Sequence, residues 1–179
     1  MVERSDSGEP SRIESESAGS SKGRSRKSGP KRPPSLREEL ERAAAGLSHM
    51  SESDYPFQFF TLPAESENDL TPEGFLYRLG VSQQFIDEFN VPTDKLIEEW
   101  TLDDFFPNQD DLSERHGTDA DDPQVVSEWE RIQRLKEVLE RRLRGVKVFR
   151  VGQVEIRCYI AGLDEQGNIA GLVTTAIET

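Results

Sequence analysis

Residues 122–145 read DPQVVSEWERIQRLKEVLERRLRG, and this stretch decides the fold together with the segments that follow it. Asp122 is a typical N-cap, Pro123 suits the first helical position, and Gly145 suits a helix end. Between them apolar residues recur at spacings of three and four: Val125, Trp129, Ile132, Leu135, Leu139 and Leu143. The pattern predicts a long amphipathic helix with one face in the core.

Three segments after residue 145 have strand patterns. They alternate apolar and polar residues or are rich in branched ones: Val146–Val151, Val154–Ala161 and Ile169–Ile177. The break at Asp164–Asn168 contains the glycine that a hairpin loop favours. We therefore expect the last two strands to pair antiparallel.

A second helix is predicted at the start of the folded part. Ser35 is a suitable N-cap, Glu38 stands at the capping-box position, and apolar residues follow at helical spacing to about Ser48. Pro56 disfavours a helical conformation at the residue before it, so Met50–Pro56 is expected to form a structured loop. The β-prone stretch Phe57–Leu62 follows directly.

Residues 63–107 mix acidic residues, Asn and Pro with short apolar groups. The elements expected there are helices over Thr71–Gly80, Ser82–Phe89 and Leu102–Phe106 and a strand over Lys95–Trp100. Asn108–Asp122 is acidic and lacks periodicity, which predicts a long mobile loop. All elements together predict an α+β domain, residues 35–179, in which helices cover an antiparallel sheet.

Residues 1–34 differ in composition from the rest. They contain nine serines, eight basic and five acidic residues and few apolar ones, a pattern typical of a disordered tail. The basic cluster between Lys22 and Arg32 allows two interpretations. It is a solubilising or self-masking segment, or it is a nuclear-localisation or nucleic-acid patch with a weak signal.

Composition excludes several classes of protein. The formal charge of the 179 residues is -13, and because the tail carries +3, the remainder carries -16. No run of about 18 apolar residues and no N-terminal apolar segment is present, so neither a membrane span nor a secretory signal is expected. Cys158 is the only cysteine, which rules out an internal disulfide. We expect a protein of the reducing cytoplasm.

Motifs for catalysis are absent from the sequence. It has no P-loop, no Gly-x-Gly-x-x-Gly and no Gly-x-Ser-x-Gly pattern, and its two histidines, His49 and His116, are far apart and expected at the surface. Cys158 lies among strand residues and is interpreted as a buried hydrophobe. The acidic pairs at 103–104 and 121–122 are interpreted as solvated or capping residues. We therefore expect no enzyme activity, no cofactor and no metal of the protein's own.

Two blocks of sequence carry a more specific signal. They are GLSHMSESDYPF, residues 46–57, and VEIRCYIAGLDEQGNIAGLVTTAIET, residues 154–179. Both resemble the nuclease A inhibitor family, small proteins that block sugar-non-specific, metal-dependent nucleases of the ββα-metal type. The resemblance covers residues 36–60 and 125–179, while residues 63–110 depart from the family pattern.

This resemblance implies a three-layer α-β-α sandwich and a one-to-one complex with such a nuclease. It implies that Glu52 and Thr179 enter the nuclease active site and offer oxygen ligands to the Mg²⁺ ion of the partner. Both should lie on one exposed face of the inhibitor. Residues beside them could add hydrogen bonds or meet basic side chains of the nuclease: Ser51, Ser53, Asp54 and Glu178.

Other interpretations of these residues remain open at this stage. Without the resemblance, Glu52 is an ordinary exposed acid and Thr179 an ordinary chain end. Tyr55 and Phe57 are interpreted as anchors that pack a loop onto the core. Two other functions are possible: a nucleic-acid-associated adaptor that uses the basic tail, and a hydrolase that uses Glu52 as a base without a visible companion group.

Overall fold

The computed structural model describes residues 32–49, 55–89 and 92–178. In these ranges the α-helices are α1 (Leu36–Ala44), α2 (Pro72–Arg78), α3 (Gln83–Phe89), α4 (Leu102–Phe105), α5 (Gln109–His116) and α6 (Pro123–Arg142). The strands are β1 (Ser48–His49), β2 (Tyr55–Pro56), β3 (Gln58–Leu62), β4 (Ile97–Trp100), β5 (Arg144–Val151), β6 (Glu155–Leu163) and β7 (Ile169–Ile177). Short 3-10 turns occupy Glu67–Leu70 and Thr93–Lys95. Most of the predicted disordered tail, residues 1–31, lies outside these ranges. Its last three residues, 32–34, are exposed.

The main sheet has five antiparallel strands in the order β3-β7-β6-β5-β4. The predicted hairpin of the last two strands is confirmed, with Glu155 opposite Ile177 and Leu163 opposite Ile169. In its turn, the Asp164 carboxylate accepts hydrogen bonds from two backbone amides of the loop. The α+β class and the antiparallel sheet are as the sequence predicts.

Successive residues of the strands belong to two different buried clusters. Val148 and Ile160 pack in the first cluster with residues of α1, α4, α5 and α6. Phe149 and Ala161, their neighbours in sequence, pack in the second with residues of α2 and α3. Since adjacent side chains of a strand point to opposite faces, both faces of the sheet are apolar. The three-layer arrangement stays a prediction, which these two clusters support.

The predicted starts of α1 and α6 are confirmed by their caps. The Ser35 hydroxyl accepts from the Glu38 amide at 3.2 Å, and a Glu38 carboxylate oxygen accepts from the Ser35 amide at 2.7 Å, which completes the capping box. The Asp122 carboxylate accepts from the Gln124 amide at 2.8 Å. Each bond satisfies an amide that the first helical turn would leave without a partner.

The prediction of a mobile loop over Asn108–Asp122 is wrong, because α5 lies inside it. Asn108 and Asp111 form a reciprocal capping box, and Gly117 ends the helix in the left-handed conformation at φ 64°. Leu112 is the single fully buried apolar residue of the helix. Because a single buried residue in eight gives no apolar periodicity, this pattern could not predict the helix. The capping residues at both ends were the available signal.

Two helix ends also differ from the prediction. The helix α1 ends at Ala44 rather than near Ser48, since Gly46 adopts φ 72° and Ser48 is already in β1. The helix α6 ends at Arg142. The chain then enters β5 at Arg144, which lies opposite Leu163 of β6. Among the described residues, no helix is both long and apolar enough to cross a membrane.

Candidate functional site

The residues that the resemblance assigns to the nuclease contact lie outside the described ranges. Glu52, Ser51, Ser53 and Asp54 belong to 50–54, and Thr179 follows the last described residue. The predicted proximity of Glu52 and Thr179 therefore stays a prediction. The structure does place the residues on both sides of 50–54, and it places Glu178.

The chain is held at the exit of α1, before residue 50. A guanidinium nitrogen of Arg131 on α6 donates to the backbone carbonyl of Ala45. Gly46 follows with φ 72°, and a Cβ atom there would lie 2.6 Å from the same Arg131 nitrogen. Leu47 is then buried in the first cluster. These contacts fix the direction in which the chain enters β1.

The chain is held again at Tyr55, after residue 54. The short strands β1 and β2 pair antiparallel, with His49 opposite Tyr55, and both contact β7. The hydroxyl of Thr174, which is 3% exposed, donates to the backbone carbonyl of Tyr55 at 2.9 Å. Residues 50–54 therefore connect two paired positions that lie against β7.

The aromatic residues around Pro56 have different roles. Phe57 packs against α4 and the residue after it, with its ring centroid 6.5 Å from that of Phe105 and 6.2 Å from that of Phe106. The predicted anchoring is thus confirmed for Phe57. It is wrong for the side chain of Tyr55, which is 43% exposed, because that residue is held through its carbonyl group instead.

The end of β7 is held by a buried arginine. Arg150 of β5 pairs with a carboxylate oxygen of Glu178 and, at 2.8 Å, with one of Glu98 on β4. Its guanidinium carbon lies 4.2 Å from the ring centroid of Trp100. The amide of Glu178 also donates to the carbonyl of Val154 at 3.0 Å. The carboxylate of Glu178 nevertheless stays about half exposed.

Tyr55, held by Thr174, and Glu178, held by Arg150, both lie near the same end of β7. The pairing of β3 with β7 stops at Gln58 and Val173, so the chain before β3 runs beside the last residues of β7. Thr174 and Glu178 are four residues apart, about 13 Å along a strand. Thr174, Ala176 and Glu178 share one face by alternation, the face of the first cluster. The geometry thus places Tyr55, which follows residues 50–54, and Glu178 at the same end of β7.

The remaining candidate groups have structural roles. Cys158 is fully buried, and burial raises the pKa of its thiol although nearby Arg150 opposes this effect. The Asp104 carboxylate caps α4 through Thr101, and Asp122 caps α6. The burial of Cys158 and these two capping roles agree with the predictions for these residues. His116 lies 2.8 Å from Glu128 through Nε2. No group of three or more His, Cys, Asp or Glu residues within the described ranges could hold a metal ion.

Sequence reasoning did not single out Arg150. A signal was available, because Arg150 follows Val148 at the two-residue spacing of the predicted strand and so shares its inward face. A charged residue at an inward-facing strand position needs a partner. This spacing could not show that the partners are Glu98 and Glu178, which are 52 and 28 residues away in sequence.

Comparison with known families shows which family the chain belongs to. Residues 34–179 match the model of the nuclease A inhibitor-like (NuiA) proteins. The chain belongs to the nuclease A inhibitor-like family. The match includes residues 63–110, although these residues were expected to depart from the family pattern. No curated protein matches the chain. Membership of the NuiA family implies a nuclease inhibitor, with a nuclease as its partner.

Proposed function

We propose that this NuiA-like protein inhibits a sugar-non-specific, Mg²⁺-dependent nuclease of the ββα-metal type. It occludes the active site, and Glu52 and Thr179 offer oxygen ligands to the metal ion of the nuclease. The observation that carries this proposal is the hydrogen bond from Thr174 to Tyr55, because it ties the segment after Glu52 to the strand that ends next to Thr179. The family match supports the nuclease as partner.

The ligand chemistry suits a magnesium ion. Mg²⁺ prefers oxygen ligands in octahedral geometry and usually keeps several waters or substrate oxygens in its shell. A carboxylate such as that of Glu52 is a hard anion that can replace a substrate phosphate oxygen. Thr179 adds a hydroxyl from the end of a strand. Two ligands from one rigid surface fill positions that the substrate would otherwise occupy.

Electrostatics support the same partner. Outside residues 1–34 the chain carries a net charge of -16. A nuclease that acts on any nucleic acid must present a positively charged groove to the phosphate backbone. Opposite potentials accelerate the encounter of the two proteins and favour the orientation in which acidic residues face the groove. We expect Ser51, Ser53, Asp54 and Glu178 to surround the two ligands in this contact.

Contacts on both sides of residues 50–54 fix the ends of this segment before binding. Arg131 holds the chain before residue 50, and Thr174 and the packing of Phe57 hold it after residue 54. A loop whose ends are already fixed loses less conformational entropy when it binds. A tight one-to-one complex in the cytoplasm, without a cofactor and without enzyme activity of the inhibitor, follows from this proposal.

Titration of a panel of ββα-metal nucleases with the protein tests the proposal. DNA cleavage by at least one of them should fall linearly and reach zero at one equivalent of protein. If all of them remain fully active with excess protein, the proposed function is wrong. A gel shift of labelled DNA and RNA at low salt covers the alternative, because binding through the basic tail would be salt-dependent and independent of any nuclease.

A further inference from the structure

Arg150 connects three strands at the end of the sheet where the proposed nuclease contact lies. It belongs to β5, and it pairs with Glu98 of β4 and with Glu178 just past β7. We infer that Arg150 is a positioning residue that orients Glu178 and, through it, residue 179 for the nuclease metal. This inference rests on the proposed function and concerns a residue that does not itself touch the metal.

The burial of Arg150 explains why it can act in this way. Its side chain is 8% exposed, whereas those of Glu98 and Glu178 are about half exposed. A buried charge must be paired, so Arg150 holds its two carboxylates firmly. Trp100 supports the flat guanidinium group from one side at 4.2 Å. The planar fork of an arginine can serve two carboxylates at once, which a lysine ammonium does less well.

The position of Glu178 makes this contact decisive for residue 179. The last residue pair of β6 and β7 joins Glu155 to Ile177, so Glu178 lies just beyond the ladder. Glu178 is held by the hydrogen bond from its backbone amide to the Val154 carbonyl and by the ion pair of its carboxylate with Arg150. Chain ends fray unless they are tied down. Loss of the Arg150 pair would leave one backbone hydrogen bond to hold the residue that precedes 179.

The expected effect follows from the entropy of one residue. Fixing the backbone of a residue changes an equilibrium by a factor of roughly 5 to 30. If Arg150 supplies this order before binding, its loss should weaken inhibition by a similar factor of about 5 to 30. The effect should act mainly through residue 179, so it should be smaller when residue 179 is absent.

Arg78 offers a matched control. It is also a largely buried arginine that pairs with two carboxylates, those of Asp69 at 2.9 Å and Glu65 at 3.4 Å, and its guanidinium lies over the ring of Tyr77. Both of its partners follow β3 in sequence. The last residue of β3, Leu62, lies opposite Ile169, at the other end of β7 from Glu178. Arg78→Met should therefore lower stability without weakening inhibition.

The experiment compares Arg150→Met, Arg150→Lys and Arg78→Met in the full chain, each with and without Thr179. Inhibition constants are measured on a nuclease that the parent inhibits, and hydrogen exchange of the Glu178 amide is measured on the free protein. We expect Arg150→Met to weaken inhibition about 5- to 30-fold and to accelerate that exchange, with partial recovery in Arg150→Lys. In the chain without Thr179, the same change should weaken inhibition by a clearly smaller factor than in the full chain, as residues that act as a unit are not additive.

Several outcomes would overturn the inference alone. Arg150→Met could inhibit as well as the parent, lose the same factor with and without Thr179, or lose no more than Arg78→Met. Unchanged exchange of the Glu178 amide would overturn it as well, whether or not any nuclease is inhibited. Failure of the parent to inhibit any nuclease would instead overturn the proposed function.

Discussion

The hydroxyl of Thr174 donates a 2.9 Å hydrogen bond to the backbone carbonyl of Tyr55, across 119 residues of sequence. It joins the chain that follows residues 50–54 to the strand that leads to Thr179. Thr174 is almost completely buried, so this contact is not a passing surface interaction. It connects the two blocks of sequence that resemble nuclease A inhibitors, since Tyr55 belongs to the first block and Thr174 to the second.

Thr174→Val should remove this hydrogen bond and keep the shape of the side chain. We expect a loss of about 1 kcal/mol in the free energy of unfolding, the usual net value of such a bond, and weaker inhibition because Tyr55 is no longer held. Urea unfolding and nuclease titration measure the two effects. Thr174→Ser keeps the hydroxyl and should inhibit like the parent. Thr175→Val, on the opposite face of β7, should change inhibition little. Equal losses of inhibition in Thr174→Val and Thr175→Val would contradict the role of the hydrogen bond to Tyr55.

Gly46→Ala should affect both stability and inhibition. Its φ of 72° disfavours a side chain, and the new Cβ would displace the Arg131 guanidinium from the Ala45 carbonyl. We expect about 1–2 kcal/mol of destabilisation, which thermal unfolding would show. Gly117→Ala is the control, since Gly117 also has a positive φ of 64° but nothing lies within 4 Å of a Cβ there. It should lose stability only, and a similar loss of inhibition would contradict the role of Gly46.

Asp69→Asn should flatten the acid side of the stability profile. Burial alone would raise the pKa of Asp69, but hydrogen bonds from the Glu65 amide, Arg78 and the Ser66 amide outweigh it, and the pKa is lowered. A lowered pKa in the folded state adds stability above the unfolded pKa of about 4, and this stability is lost as pH falls through the folded value. Urea unfolding between pH 7 and 2 should show a smaller pH dependence in the variant. An unchanged slope would contradict the assignment.

The Cys158 thiol should resist modification in the native protein. It is fully buried, and burial raises its pKa, which keeps it protonated at neutral pH. Because the folded pKa is raised, its contribution to stability is present below the unfolded value and is lost as pH rises through the folded one. Iodoacetamide at pH 7.5 should label the protein only after unfolding. Rapid labelling of the native protein would contradict the buried position.

Local patterns predicted those elements whose signals lie within one stretch of sequence. The periodicity of α6 and the branched residues of β7 reflect what each element buries, so the start of α6 and both ends of β7 were predicted correctly. The helix α5 was missed because Leu112 is its single buried residue. The pairing of Arg150 with Glu98 and Glu178 was not predictable, since it depends on which strands become neighbours. Glu52 and Thr179 came from the family resemblance, and local chemistry alone gave no reason to select them.

The affinity of Glu52→Ala and of the chain lacking Thr179 for an inhibited nuclease tests the central claim most directly, with and without Mg²⁺. Both variants should unfold within about 0.5 kcal/mol of the parent. In Mg²⁺ each should bind roughly 30- to 5000-fold more weakly, the cost of about 2–5 kcal/mol for truncating one partner of a buried charged pair. Glu65→Ala is the control. The side chain of Glu65 is 85% exposed, and this variant should bind like the parent. Removal of Mg²⁺ should weaken the parent and bring it close to the two variants. Parental affinity in both variants, or an affinity of the parent that does not depend on Mg²⁺, would contradict metal ligation by Glu52 and Thr179.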